Sequence, residues 1–335
     1  MNLSIVVPVF NEEESLPKLF EEIRAVEESH GYKIWIIFVD DGSKDTSWKV
    51  IEKLSSECDR VKGVRFRRNF GKACALEAGM REVETDVVLT MDADLQDDPA
   101  EIPKFIEQFE QGKDVVSGWK KIRHDPFHKT MPSKVFNWMV NRMTGVKLND
   151  HNCGFKLYRR EIFDEVRLYG EFHRFIPVLA SARGWQVGEV IVNHRAREFG
   201  KSKYGMSRII KGFLDLLTVS FLTSYNHRPQ HLLGSIGLGS SFIGACCLFY
   251  LVIYWNVRMF YINFYDQVIG PPVSERALLY YALGALLLGA QLVSFGLLAE
   301  LFVAKQQGPD RVYSVRESVG LSKSSEDNDS NPDST

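Results

Sequence analysis

Asp92 and Asp94 follow the apolar run at residues 86–90 and open the stretch Asp92-Ala93-Asp94-Leu95-Gln96-Asp97-Asp98-Pro99. A β-branched run ending in alternating carboxylates predicts a buried strand that delivers both acids to its C-terminal edge, where open α/β sheets bind ligands. Two residues apart on extended backbone, they are expected to point to one side. Hard oxygen ligands that leave coordination positions open suit Mg²⁺ or Mn²⁺ carrying a substrate diphosphate. The competing reading is capping, because Asp97-Asp98-Pro99 has the pattern of an N-cap for a helix over residues 100–111.

Other strand ends carry similar residues. Leu3–Phe10 reads as a strand, and Asn11-Glu12-Glu13-Glu14 starts an amphipathic helix running to about Glu28; the run is too short, and lacks the basic flank, for a signal peptide. A second strand over residues 33–39 ends in Asp40-Asp41-Gly42-Ser43. A third, over 61–66, leads through Arg67-Arg68-Asn69-Phe70-Gly71-Lys72 into a helix. Strands alternating with helices predict an α/β domain with a mostly parallel sheet. No Gly-x-Gly-x-x-Gly follows the first strand and no Walker lysine loop is present, which disfavours dinucleotide binding and P-loop phosphoryl transfer.

Val7-Pro8-Val9-Phe10-Asn11-Glu12, Asp40-Asp41-Gly42-Ser43, Arg68-Asn69-Phe70-Gly71 and Asp92-Ala93-Asp94-Leu95-Gln96, in that order, resemble the successive motifs of family 2 glycosyltransferases with the GT-A fold. Asp150-His151-Asn152-Cys153-Gly154-Phe155-Lys156-Leu157, His173-Arg174-Phe175-Ile176-Pro177 and Arg197-Glu198-Phe199-Gly200-Lys201-Ser202-Lys203-Tyr204 are similar to the polyprenyl-phosphate branch, which holds dolichyl-phosphate mannose synthases and bacterial polyprenyl-phosphate glucosyltransferases. The resemblance implies transfer of a sugar, with inversion, from a nucleotide sugar to polyprenyl phosphate. UDP-glucose is the favoured donor, and a dolichyl-type transferase using GDP-mannose is the alternative.

The resemblance also implies roles. Asp94, shared with Asp92, holds the Mg²⁺ or Mn²⁺; Pro8, Phe10, Glu12, Asp40, Asp92, Ala93 and Gln96 line the donor pocket; Arg197 and Lys203 contact phosphate; Arg123 and Arg174 are weaker candidates for the acceptor phosphate. Asp41 is read instead as a cap of the next turn. Asp150 matches a position commonly assigned as the base. A phosphate monoester with a second pKa near 6 is already mostly dianionic at neutral pH, so Asp150 is expected chiefly to orient acceptor or sugar. His151, His173 and His194 read as structural hydrogen-bonding residues.

With 41 basic and 43 acidic residues the chain is nearly neutral, and its mean hydropathy of −0.15 is that of a soluble protein. That average hides two apolar runs, 232–255 and 277–303, each longer than the roughly 20 residues needed to cross a bilayer; paired core helices are the bland alternative. Gly237, Ser241 and Ala245, like Ala285 and Gly289, recur every four residues and predict close helix packing. Lys201, Lys203, Arg208, Lys211 and Arg228 precede the first run and Lys305, Arg311 and Arg316 follow the second, against Arg258 and Arg276 between them. The positive-inside rule then puts both termini and the catalytic domain in the cytoplasm, in a cell inner membrane. Five cysteines without zinc spacing fit a reducing compartment.

The expected organisation is a glycosyltransferase domain at 1–205, a juxtamembrane amphipathic helix at 206–231, the spans within 232–304 and a tail at 305–335, disordered at 318–335. Residues 206–225 suit either the membrane interface or a core helix on the sheet. Basic and aromatic residues alternate over 120–142, which fits an anionic lipid surface rather than nucleic acid. Expected partners are nucleotide sugar, polyprenyl phosphate and the membrane, with a homo-oligomer left open. Three rivals remain. A processive polysaccharide synthase lacks its Gln-x-x-Arg-Trp element here, a nucleotidyltransferase would not need apolar spans, and a non-catalytic scaffold with a decayed domain would not release nucleotide.

Overall fold

A computed structural model describes residues 1–121, 127–166, 172–195, 215–216, 218–219, 229–266, 268 and 270–306. Alternation along the first two strands shows how the domain is layered. Leu3, Ile5, Val7 and Val9 of β1 (Asn2–Val9) and Ile34, Ile36 and Phe38 of β2 (Lys33–Asp40) face one core; Val6, Ile37 and Val39 face another. Strands that bury both faces need helices on both sides. α1 (Leu16–His30), α2 (Ser47–Glu57) and α4 (Ile102–Glu110) cover the first face. α3 (Lys72–Arg81), α6 (Ile162–Glu165) and α7 (Ile176–Ala182) cover the second.

β3 (Val61–Arg65), β4 (Val87–Thr90), β5 (Val115–Trp119), β6 (Lys156–Arg159) and β7 (Val187–Ile191) complete a seven-stranded sheet in the order β3-β2-β1-β4-β6-β5-β7. All pairings are parallel except those of β6, which runs against β4 and β5. The order reverses at β1, between β2 and β4, and such a switch point opens a crevice beyond the strand ends. Parallel strands send the residues that follow them to that edge. The reversed β6 sends the residues that precede it, and the register Thr90↔Lys156 sets residues 150–155 beside the end of β4.

The elements start later than the sequence suggested in two places. α1 begins at Leu16, because Asn11 adopts φ 57° and ties its backbone to Ser43. α4 is preceded by a 3₁₀ turn, Pro99–Glu101, which Asp98 caps by accepting from Ala100 N at 3.0 Å.

α5 (Phe127–Thr144) packs Val140 against Phe172, Phe175 and Val178, and exposes Lys134, Val135, Trp138 and Arg142. Leu216 and Val219 are buried in the same cluster, as a core-packed segment requires; the rest of 206–225 and the tail at 318–335 lie outside the described residues. α8 (Pro229–Tyr265) and α9 (Ala277–Gln306) contain apolar stretches of mean hydropathy 2.1 and 2.0, each long enough to cross a membrane. Soluble core helices would bury such surface, yet Leu238, Phe242, Phe249, Leu287 and Phe295 are exposed. The first helix continues past Trp255 to Tyr265. The seam uses Gly237, Ser241, Ala285 and Gly289 as expected: a Cβ at Gly237 would fall 2.7 Å from the Gly289 carbonyl oxygen, and Ser240 Oγ donates to Ala285 O at 2.8 Å. Ala245 faces outward and Gly244 takes its place, 2.8 Å from Ala282 O to a built Cβ.

Candidate active site

β4 ends at Thr90, so Asp92 and Asp94 sit on a loop rather than on extended backbone. Residues 93–94 turn, and Leu95, fully inside the protein, adopts φ 59°. Alternation therefore does not set the direction of the carboxylates; the turn does. Asp94 is buried and its Oδ1 accepts from Gln96 N at 3.2 Å. Gln96 is half-buried, and its carbonyl accepts from Arg195 N at 3.0 Å. Ala93 is buried. Asp92 is partly open, with about 35% of its side chain exposed, and forms an ion pair with Lys72 Nζ. Burial works against ionisation of Asp92, but Lys72, helped by Lys120, holds its carboxyl well below the usual range. Burial likewise disfavours the Lys72 charge, and Asp92, Asp97 and Asp94 outweigh it.

Asp97, offered by sequence as a cap, is the base of the loop. It is fully buried, accepts from Asp92 N at 3.4 Å and pairs with Lys120 Nζ at 2.8 Å. Lys120 follows the end of β5, which runs parallel to β4 in the same sheet, so both ends reach one edge. Burial opposes its charge, yet Asp97 and the neighbouring anionic groups push its pKa above the ordinary value.

On the β1 and β2 side, Glu12 N donates to Ser47 Oγ at 2.9 Å and Lys44 N to Asn11 Oδ1 at 2.8 Å, lacing the two strand ends together. Pro8, Phe10 and Glu12 are half-buried there. Asp40 is fully buried, takes Ser43 N at 2.8 Å and pairs with Arg65 at 3.3 Å. Asp41 does cap, but across the sheet: it accepts from Phe70 N at 2.6 Å and Gly71 N at 2.9 Å, fixing the turn that starts α3. Gly42 (φ 71°) lets that loop approach, since a Cβ would fall 2.5 Å from the Arg68 carbonyl carbon.

Asp150 is buried and its Oδ1 accepts from Asn152 N at 3.1 Å, while its own N–H donates to Glu189 at 3.1 Å. Lys156 stands behind it with its ammonium on the carbonyls of His151 (3.1 Å) and Cys153. Burial lowers the Lys156 pKa to about 8, against the pull of Cys153 and Asp150. Burial and Lys156 lower His151 to about 3, and burial, Lys72 and Arg174 lower His173, so both rings are neutral at pH 7. His151 accordingly bonds Asn141 Oδ1 at 2.7 Å, the structural role expected of it. Gly154 backs onto the carboxylate site: a Cβ there would lie 2.9 Å from both Asp92 Oδ2 and Lys72 Nζ. Arg174 is half-buried beside His173. All five cysteines are free.

Arg123, Arg197 and Lys203 lie outside the described residues. The described chain before residue 196 ends in His194, which bridges Asp97, and Arg195, clamped to Asp98 at 2.6 Å and Glu22 at 2.7 Å. Lys72, Lys156 and Gly154 carry no role in the sequence analysis, and Lys120, placed there in the lipid-facing basic stretch, is instead largely buried on Asp97. Lys72 directly follows a recognised motif, but its ion pair is non-local and carries no periodic signal.

Among the described residues no group of three or more His, Cys, Asp or Glu side chains forms a closed metal cage. The two carboxylates of this crevice loop, Asp92 and Asp94, could hold a divalent ion that takes its remaining ligands from phosphate and water.

A sheet of this order with acidic loops at its switch point is a GT-A nucleotide-sugar fold. The glucosyl-3-phosphoglycerate synthase of Mycobacterium tuberculosis, solved with Mn²⁺, UDP and phosphoglyceric acid, shares the fold with a TM-score of 0.52 at 14% identity, covering 66% of this chain and 78% of that one. Residues 4–167 match Glycosyl transferase family 2, and the chain belongs to that family. Over 309 residues, 90% of this chain and 87% of the relative, it is 39% identical to the dodecaprenyl-phosphate galacturonate synthase of Rhizobium johnstonii. It is also 39% identical over 252 residues, 75% of this chain and 72% of the relative, to the undecaprenyl-phosphate 4-deoxy-4-formamido-L-arabinose transferase of Pseudomonas fluorescens.

Proposed function

We propose that the protein is a membrane-anchored transferase that moves a sugar from a nucleotide diphosphate sugar to polyprenyl phosphate. The observation that carries this is the joining, on one chain, of a GT-A crevice with Asp92 and Asp94 at its switch point to two exposed apolar helices long enough to cross a bilayer. Similarity over 90% of the chain to a polyprenyl-phosphate sugar synthase supports the same acceptor. A phosphate oxygen of the acceptor attacks C1 of the sugar, the bond from C1 to the diphosphate breaks, and the nucleotide diphosphate departs with the electron pair; attack opposite the leaving group inverts C1.

Asp92 and Asp94 would hold Mg²⁺ or Mn²⁺, which when bound neutralises charge growing on the leaving diphosphate. Glu12, Asp40 and the end of β1 at Pro8-Val9-Phe10 form the nucleoside side, with Ala93 and Gln96 on the loop between nucleoside and sugar. Arg197 and Lys203, by resemblance, contact phosphate, where fixed cations stabilise developing charge without reorganisation. Arg174 is the described candidate for the acceptor phosphate, with Arg123 a second by sequence. Asp150, already bound to a backbone N–H, orients the reacting groups rather than removing a proton. α5 lays Lys134, Trp138 and Arg142 outward, a basic and aromatic face suited to lipid headgroups.

The donor first expected, UDP-glucose, competes with two others suggested by the names of the relatives, a galacturonate donor and a 4-formamido-arabinose donor. The identity of 39% over 90% of the chain, against 36% over 89% for the 4-deoxy-4-formamido-L-arabinose transferase of Salmonella dublin, favours the galacturonate. Membranes containing the protein, incubated with undecaprenyl phosphate and a panel of nucleotide sugars, should yield one lipid-linked sugar identified by mass, and the yield should collapse with chelator and with Asp94→Asn. Release of nucleoside monophosphate or of pyrophosphate in place of nucleoside diphosphate would overturn the proposal, and full activity in chelator would overturn its metal. For topology, a cysteine placed between residues 256 and 276 should react with an impermeant thiol reagent in intact cells, and one in the tail should not.

A further inference from the structure

We propose that Lys72 is a resident counter-cation of the Asp92 carboxylate, which the incoming divalent ion must displace and which then transfers to the donor's diphosphate, so that metal and nucleotide bind as a coupled pair. The inference rests on the proposed metal-assisted nucleotide-sugar chemistry of this site and concerns a residue that this chemistry does not itself require.

Lys72 Nζ is in direct contact with Asp92 Oδ1. The other Asp92 oxygen faces residue 154, a glycine whose missing Cβ leaves unfilled a position 2.9 Å from both Oδ2 and Lys72 Nζ. A metal ion on either Asp92 oxygen therefore comes close to the Lys72 ammonium. A divalent ion and an ammonium cannot share one oxygen at contact distance, because like charges a few ångströms apart repel strongly in partly buried surroundings. Lys72 can yield without disturbing the fold. Its ammonium sits on a flexible four-carbon stem, about 29% of the side chain is exposed, and its backbone is secured separately by Asp41, which holds Phe70 N and Gly71 N at 2.6 and 2.9 Å.

Once displaced, the ammonium leaves Asp92 satisfied by the metal and finds Asp97 already committed to Lys120 at 2.8 Å. The nucleotide diphosphate brings the uncompensated negative charge that rehouses it. Metal alone then binds weakly, since it must break the Lys72–Asp92 ion pair, whereas nucleotide bound with the metal replaces that pair. By linkage each must raise the affinity of the other by the same factor.

The test uses the full chain in detergent, with Mn²⁺ titrated alone and with UDP or GDP, and free Mn²⁺ read by electron paramagnetic resonance. Lys72→Met and Lys72→Gln should bind Mn²⁺ alone about tenfold more tightly than wild type, equivalent to about 1.4 kcal/mol, and the factor by which nucleotide tightens Mn²⁺ should shrink. Lys72→Arg, which keeps a cation in place, should behave as wild type. A lysine with a merely structural role predicts the opposite sign, a loss of Mn²⁺ affinity on removal. Equal or weaker Mn²⁺ binding by both neutral variants overturns the inference while leaving the metal site standing. Failure of every form, wild type included, to bind Mn²⁺ even with nucleotide overturns the metal reading and this inference together.

Discussion

Replacing Asp97 by Asn should destabilise the catalytic domain more than any other single charge removal near the crevice. Asp97 is 0% exposed and its partner Lys120 is 14% exposed, with 2.8 Å between the charged atoms. Asn preserves the shape, so the loss falls on the charge. Lys120 would be left as an ammonium inside the protein, next to a Cys153 thiol that burial pushes up to about 12 and which supplies no counter-charge at neutral pH. Breaking a buried pair from one side costs about 3–5 kcal/mol, whereas replacing both partners by neutral groups is often close to neutral. At about 2–4 °C per kcal/mol for a domain of this size, Asp97→Asn should lower the unfolding midpoint by about 6–20 °C. Lys120→Met in the same chain should recover most of that loss, giving a coupling energy of a few kcal/mol between neighbouring sites. Thermal unfolding of the full protein in detergent, followed by near-ultraviolet circular dichroism, measures all four corners of the cycle. A loss below about 1 kcal/mol in the single variant, or a double variant no better than the single, would refute the buried-pair account.

Three further outcomes follow from the same geometry. His151 is neutral when folded down to about pH 3, while the unfolded imidazole protonates near 6.5, so the unfolded state binds more protons in between and stability falls with acidification. His151→Gln should remove up to about 1.4 kcal/mol per pH unit from that slope below pH 6.5, read from urea midpoints at pH 7, 6 and 5; parallel slopes would exclude the assignment. Asp150→Asn should lower turnover without abolishing an acid limb in the pH–rate profile, and a wild-type limb that vanishes only in this variant would restore Asp150 as a base. In the apolar hairpin, Gly289→Leu should force α8 from α9 and reduce disulfide formation between cysteines introduced at Ser240 and Ala285, whereas Gly239→Leu, with nothing within 4 Å of its Cβ position, should not. Equal cross-linking in both variants would count against the seam.

Local signals carried the elements well. Apolar runs with β-branched residues located β1 to β4 closely, and the small-residue spacing of the apolar helices found Gly237, Ser241, Ala285 and Gly289. Phase on a long helix was harder, and Ala245 was taken for its inward neighbour Gly244 because a four-residue repeat drifts around a helix of 3.6 residues per turn. The extended geometry assumed for Asp92 and Asp94 failed at Leu95, whose positive φ is tolerated only within the surrounding buried turn. Asp97 illustrates the same limit. Its neighbours in sequence make it a helix cap; its neighbour in space, Lys120 at the end of another strand, makes it the buried anchor of the acidic loop.

The sequence by itself determined which segments are strands and which are apolar helices and the order of the acidic and basic motifs, because these depend on periodicity and composition along short stretches of chain, and the family was legible through the resemblance of that ordered series of motifs. Only the tertiary structure decided which charges meet. The switch at β1, the reversed β6 that sends residues 150–155 to the end of β4, and the pairing of Lys72 with Asp92 and of Lys120 with Asp97 arise from contacts between segments distant in the chain. A buried charge takes its energy from the partner it reaches through space, and no local pattern of residues specifies that partner.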